Sequence, residues 1–357
     1  MSPPGILNFD VLSPAPFPRT RYQGSKRKLA ARIVEHVRSL EFTTVLDAFG
    51  GTGAVAYALK QLGKQVTYND ILAFNHQIGL ALIENDTFRL GDGEIGTVGL
   101  RREGIHYGDF IERTFAGIYF TDEENHWLDS AVGNIRRIEN RYRRAIAWFA
   151  LFQSALVKRP YNLFHRSNLY MRTADVARSF GNKATWDRSF EDHFRQFAGE
   201  ANSAVMDGGG RCRAICRDAL EADPVYDLVY IDPPYVNHAG VGVDYRQFYH
   251  FLEGLMRYEE WPTLIDDQFK HRPLARIEQP WSDPRRCGDM FRRLVRHYRN
   301  SILVVSYRSD GIPSIDELVT ILREVKRVVR VIDGPLYQYA LSTNSRSKEV
   351  LLIGEDK

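Results

Sequence analysis

Cysteine is scarce in this chain: Cys212, Cys216 and Cys287 are the only three among 357 residues. Three cannot build a disulfide framework, and the count fits a reducing compartment. Cys212 and Cys216 stand four apart in an expected strand with no clustered histidine nearby. They read as small buried hydrophobes rather than metal ligands, and no metal is expected. Long apolar runs are missing too: no stretch approaches the roughly 18 residues that a membrane span needs. The first twenty residues hold five prolines and no apolar stretch flanked by basic residues, so neither a signal peptide nor an anchor is expected. The cytoplasm is the expected location. A large charge of one sign is also absent, because 48 Lys and Arg face 45 Asp and Glu.

What remains is ordinary globular material, 44% hydrophobic and 26% charged, enough for one large domain or two ordinary ones. The charge is unevenly placed. Residues 136–195 hold thirteen Lys and Arg against five Asp and Glu. Such a local surplus suits either a surface that faces a polyanion or a solvated helix face.

The apolar run Leu228 to Ile231 reads as a buried strand that ends at Asp232-Pro233-Pro234-Tyr235. Two prolines cannot continue a sheet ladder, so the chain must leave the sheet there. Upstream, Phe42 to Phe49 reads as a first strand running into Asp47-Ala-Phe49-Gly-Gly51-Thr-Gly53. A helix from Ala54, a short strand from Gln65 ending at Asn69-Asp70, and a helix from Ile71 to Asn85 follow. Strand, glycine turn, helix, strand and acid open a parallel, doubly wound α/β sheet. From about residue 86 the rhythm breaks, with a glycine-spotted stretch over 86–108, read as loop, and then interleaved aromatic and basic residues around Asn140–Arg144 and Lys158–Arg166. It resumes after Gly210. Residues 86–205 are therefore expected to form an inserted subdomain, with 1–85 and 206–357 as the sheet domain. Helices are expected over Tyr245–Met256, from an N-cap at Asp283 with Pro284 to Arg299, and from a capping box at Ser314-Ile-Asp-Glu317. Ser301–Tyr307 reads as a strand, and Val328–Ile332 pairs antiparallel with Glu349–Ile353.

Backbone N–H groups in a glycine turn after a first strand can approach a ligand closely. Asp47, Gly51 and Gly53 stand there, and Asp70 ends the next strand, where an acid can accept both ribose hydroxyls. A nucleoside-bearing cofactor is expected. Gly91-Asp-Gly93-Glu-Ile-Gly96 matches the dinucleotide pattern literally but follows no convincing strand, and it reads as a flexible loop. The true first turn is not a phosphate-binding sequence, so S-adenosylmethionine fits better than NAD, and a dehydrogenase is disfavoured.

These motifs, in content and order, resemble the Dam-like alpha group of adenine-specific DNA methyltransferases. Tyr22, Gly24 and Lys26 resemble the family's N-terminal cofactor-side motif, Asp47-x-Phe49-x-Gly51-x-Gly53 its glycine motif, and Asp70 its ribose acid. Asp218 matches the acid that contacts the cofactor's adenine, and Asp232-Pro233-Pro234-Tyr235 the catalytic tetrapeptide. The resemblance implies a Rossmann-like S-adenosylmethionine-dependent fold with a target recognition domain at 86–205. It also implies methyl transfer to the N6 amine of adenine at a short site in duplex DNA, in a restriction-modification, orphan or phage setting. A cognate restriction endonuclease is the implied partner in the first case. Asp232 and the Pro233 carbonyl can accept hydrogen bonds from the amine, while Tyr235 stacks on a flipped base. Asn237, His238, Phe248 and Tyr249 either close over that base or pack under a helix, and Ser345-Arg-Ser-Lys348 is a candidate phosphate contact. An RNA adenine methyltransferase and a non-catalytic DNA-binding protein on the same core are the alternatives. The role of residues 257–300 is not readable.

Overall fold

The computed structural model describes residues 15–176, 183–336 and 347–356. Its centre is a seven-stranded sheet. The strands are β1 (Thr44–Asp47), β2 (Gln65–Asn69), β3 (Arg213–Ile215), β4 (Leu228–Ile231), β5 (Ile302–Arg308), β6 (Val328–Leu336) and β7 (Lys348–Glu355). They lie in the order β3-β2-β1-β4-β5-β7-β6. The first five positions pair in parallel, and β7 runs antiparallel to both β5 and β6. The chain works outward from β1 to β3 and then returns to β4 beside β1. That reversal leaves a crevice at the carboxyl ends of β1 and β4, where open α/β sheets bind ligands.

Alternation along the strands explains the layers. Val45, Leu228, Tyr230 and Val304 belong to one hydrophobic cluster, and Leu46, Val229, Ile231 and Leu303 to the other. Successive side chains of a strand point to opposite faces, so strands apolar throughout must be covered on both sides. Helices α1 (Ala30–Val37), α2 (Ala54–Gln61) and α3 (Ala73–Gly79) contribute to the first cluster.

Residues 86–205 are largely helical. They include α4 (Asp122–Ile135), α5 (Arg141–Val157) and α6 (Phe190–Ala204). Every residue of α5 from Ala145 to Val157 is buried, as expected of a helix apolar on all sides. Phe149, Phe152, Phe194 and Phe197 fall in the same cluster as Val45 and Val66 of the sheet. Three of the thirteen basic residues are interior: Lys158 and Arg159 are each 1% exposed and Arg172 5%. Lys158 and Arg172 both pair with Glu124 Oε1, at 2.8 and 2.7 Å.

Several local expectations are corrected. The stretch at Gly91 is not a loop: a short helix spans Asp92–Thr97, with Glu94 Oε2 accepting the Gly91 N–H at 2.8 Å. The expected helix at 245–256 divides into α7 (Tyr245–Phe248) and α8 (His250–Met256). Asp283 does not cap a helix at Pro284. Its Oδ1 accepts the Arg285 N–H at 2.9 Å in a tight turn, and α9 (Cys287–His297) starts later. The capping box at Ser314 opens α10 (Ile315–Arg323) as expected. Ser345 and Arg346 lie outside the described residues.

Candidate active site

A cavity of about 300 Å³ opens at the crevice between β1 and β4. One acid reaches it from each of the four strand ends: Asp47 as the last residue of β1, Asp70 after β2, Asp218 after β3 and Asp232 after β4. Tyr22, Gly24, Lys26, Phe49, Gly51 and Pro234 line it as well. Gly53, Pro233 and Tyr235 are not among the lining residues, though each adjoins one in sequence. Parallel strands all present their carboxyl ends to one edge, which brings residues so distant in sequence together.

The glycine turn is held from beneath. Gly51 and Gly53 have φ of 50° and 75°, which side chains rarely tolerate. The Tyr68 hydroxyl donates to Gly51 O at 2.7 Å, and its ring lies where a Cβ on Gly50 would sit, 2.1 Å away. Asp70 clamps the same turn. Its carboxylate accepts the N–H groups of Gly51 and Leu72, both at 2.9 Å, and Asn75 Nδ2 at 3.1 Å. Burial pushes Asp70 up to about 6, against the pull of those donors.

Asp47 is the least satisfied member. It is 1% exposed, and its Oδ1 has no hydrogen-bond partner. Burial, reinforced by the charges of Asp232 and Asp70, pushes its carboxyl up to about 8. The backbone N–H groups of Ala56 and Phe49 bond the carboxylate, but a buried carboxylate oxygen without a partner beside an open cavity favours a ligand that brings positive charge or a donor.

On the other side of the crevice, Lys26 is 6% exposed and lies 2.9 Å from both Asp232 Oδ1 and Glu349 Oε1. Burial alone would lower its pKa, but the two carboxylates outweigh that and hold it protonated. Asp232 is raised from the usual carboxylate range, because burial and Glu349 outweigh Lys26. Tyr235, expected to stack on a base, is 5% exposed, with its ring edge-on to Tyr307 at 5.1 Å. Its hydroxyl donates to Asp232 Oδ1 at 2.5 Å and also meets Lys26 Nζ.

Some cavity residues had escaped sequence reading. Tyr245 lines the wall and forms an aromatic stack with Tyr22, which also stacks on Tyr249 at 4.5 Å. Tyr249 itself is fully buried, and its hydroxyl accepts the Gln23 N–H at 2.7 Å. Ile277 to Trp281, within the unreadable 257–300 segment, form another wall, and Trp281 packs edge-on against Phe49 at 5.0 Å. Glu349 could have been suspected as the acid opening the apolar strand Val-Leu-Leu-Ile. No sequence pattern marked the 277–281 wall.

Residues 159–168 form a segment that is half buried and presents Tyr161 and Arg166 at the surface. Tyr161 and Asn162 both adopt positive φ, 63° and 55°, and Tyr161 is 58% exposed. The buried Arg159 guanidinium holds this shape by donating to Leu163 O, Tyr119 O, Arg166 O and Asn168 Oδ1. The Phe164 N–H donates to Phe248 O at 2.9 Å, tying the segment to α7. The stretch at Gly91 does not line the cavity. Among the described residues no group of three His, Cys, Asp or Glu could hold a metal ion, and no helix is long and apolar enough to cross a membrane.

Residues 22–276 match the family model of D12 class N6 adenine-specific DNA methyltransferases. The chain is 28% identical over 356 residues to "Type II methyltransferase M2.HphI" of Haemophilus parahaemolyticus, across 96% of this chain and 98% of that one. It is 26% identical to "Modification methylase StsI" of Streptococcus sanguinis and 23% identical to "Type II methyltransferase M.FokI" of Planomicrobium okeanokoites, each across 92% of this chain. It spans about half the length of the latter two, 50% and 51%. The family match covers the glycine turn, the acids at the four strand ends and the tetrapeptide, and the chain therefore belongs to the D12 class of N6 adenine-specific DNA methyltransferases, as a site-specific enzyme.

Proposed function

We propose that the cavity binds S-adenosylmethionine and that Asp232-Pro233-Pro234-Tyr235 presents a flipped adenine to it. The carrying observation is that Asp232 lines the same cavity as Asp47, whose Oδ1 has no hydrogen-bond partner. When bound, S-adenosylmethionine supplies a methyl group on a positively charged sulfur. The chain's residues fit that charge: Asp47 is a buried acid with an open oxygen, and Asp70 and Asp232 add to the negative field. Asp70 keeps capacity for a ribose hydroxyl, since a carboxylate offers about four acceptor sites and three are taken here. Tyr22, Gly24 and Lys26 form the N-terminal wall, Phe49, Gly51 and Gly53 the glycine turn, and Asp218 the far end beside the cofactor's base.

An adenine amine is a poor nucleophile because its lone pair is delocalised into the ring. Asp232 and the Pro233 carbonyl accept hydrogen bonds from it, which draws the nitrogen toward a tetrahedral shape. Both Lys26 and Tyr235 contact Asp232 Oδ1, which leaves Oδ2 to receive the amine. Tyr235 thus orients the carboxylate through its hydroxyl, and stacking on the base requires its ring to become accessible.

Residues 1–85 and 206–357 are then the catalytic domain and 86–205 the target recognition domain, in the order of the Dam-like alpha group. The segment bearing Tyr161 and Arg166 faces the duplex: an exposed aromatic and an exposed cation on one short stretch suit contact with bases and phosphates. The setting is cytoplasmic, beside a cognate restriction endonuclease or as an orphan enzyme. The test uses methyl-labelled S-adenosylmethionine with random-sequence DNA and RNA. Label in duplex DNA alone supports the reading, and label in RNA replaces it with the RNA alternative.

A further inference from the structure

β7 brings one acid into the interior beneath the catalytic turn. Glu349 is 5% exposed at the start of a strand otherwise built of Val350, Leu351, Leu352 and Ile353. Its Oε1 lies 2.9 Å from Lys26 Nζ, accepts Ser306 Oγ at 2.5 Å and is 3.3 Å from the Tyr235 hydroxyl. Lys26 Nζ is also 2.9 Å from Asp232 Oδ1. One buried ammonium is thus divided between two buried carboxylates, contributed by segments more than a hundred residues apart. Burying such a group is a poor way to stabilise a fold, since well-packed apolar side chains do as well or better. A functional reason is therefore needed.

We propose that Glu349 is a positioning residue for methyl transfer: it shares the charge of Lys26 with Asp232 and so keeps the Asp232 carboxylate an open acceptor for the adenine amine. This rests on the reading of Asp232 as that acceptor. Without Glu349, the donors of Lys26 converge on Asp232 and Tyr235. The carboxylate is then ionised more readily but holds its electrons more tightly, and it accepts the amine less well. Ser306 acts in the opposite sense. Its hydroxyl satisfies part of the demand of Glu349, and removing it draws Lys26 away from Asp232.

The charged and titratable groups facing Asp232 are Lys26 from the N-terminal segment, Asp47 from β1, Tyr230 and Tyr235 from its own segment, and Glu349 from β7. Burial raises Asp232, Lys26 lowers it and Glu349 raises it. Loss of the Glu349 charge therefore moves its titration to lower pH.

The experiment measures single-turnover methyl transfer from about pH 5 to about pH 9 for the full chain and for Glu349→Gln, Ser306→Ala and Asp232→Ala. For Glu349→Gln we expect the acid limb to move down by about one unit and the plateau rate to fall roughly tenfold, with an unchanged dissociation constant for S-adenosylmethionine. For Ser306→Ala the limb moves up. A general loss of packing would not give opposite shifts. Wild-type limbs in both variants, or shifts of the same sign, overturn the proposal. If Glu349→Gln fails to fold, Ser306→Ala decides alone: an upward limb supports the proposal and an unmoved one overturns it. Full activity in Asp232→Ala instead removes the acceptor reading, whatever Glu349 does.

Discussion

Asp47 carries the most information of any single residue, because its buried oxygen lacks a partner. Its carboxyl is raised to about 8 in the folded protein, against about 4 in an unfolded chain. The folded state therefore holds a proton that the unfolded state releases. That contribution to stability is complete below about pH 4 and is lost as the pH rises through about 8. The ligand-free protein should melt at progressively lower temperature between those values, and Asp47→Asn should flatten the slope while weakening cofactor binding. Thermal melts across the pH range check the first point and calorimetry the second. Asp70→Ala should weaken cofactor binding for two reasons, the lost ribose acceptor and the loosened Gly51 turn. An unchanged dissociation constant would reject both. Asp47, Asp70 and Asp232 were legible in the sequence because each closes an expected strand, and Asp218 through the family resemblance. The contacts that tune them were not: Glu349 reaches Lys26, and Ser306 reaches Glu349, only through strand pairing.

At the scale of elements, the glycine turn is the most exacting piece. Gly50 passes so close to Tyr68 that Gly50→Ala must displace the ring or the turn. Overpacking of this kind costs about 1–3 kcal/mol. Urea unfolding of the variant should show that loss, together with weaker cofactor binding. Removing the capping hydroxyl of α4 by Thr121→Ala should cost about 1 kcal/mol and leave the cofactor affinity alone. The parallel strands and the box at Ser314 were readable because periodicity and capping are local signals. The stretch at Gly91 misled because glycines suggested a loop, while Glu94 supplied the missing cap from within the helix. Asp283-Pro284 misled in the reverse direction, since an Asp side chain can bond its own turn as readily as a helix end.

For the molecule as a whole, the strand order joins three distant segments. Lys26, Asp232 and Glu349 meet only because β4, β5 and β7 are neighbours, an arrangement that no spacing in the sequence discloses. The basic surplus over 136–195 had two readings, and part of it answers to neither. Lys158, Arg159 and Arg172 are interior, fixing the fold around Glu124 and the 159–168 loop. DNA affinity should still fall by about 10³ or more between about 50 and about 200 mM salt if six or more phosphates are contacted. Tyr161→Ala and Arg166→Ala should weaken DNA binding without changing the melting temperature or cofactor affinity. Arg159→Ala should instead lower the melting temperature, because it unties four acceptors at once. Fluorescence anisotropy with a duplex, beside thermal melts, separates the two outcomes.

The central claim is that Asp232 holds the N6 amine of adenine while the cavity beside it holds the methyl donor. Its most direct measurement is nucleoside analysis of duplex DNA treated with the purified protein and methyl-labelled S-adenosylmethionine, alongside the Asp232→Ala variant under saturating cofactor. The account predicts labelled N6-methyldeoxyadenosine from the wild-type protein and none from the variant, which still binds cofactor. Label on cytosine, or equal methylation by Asp232→Ala, would contradict it.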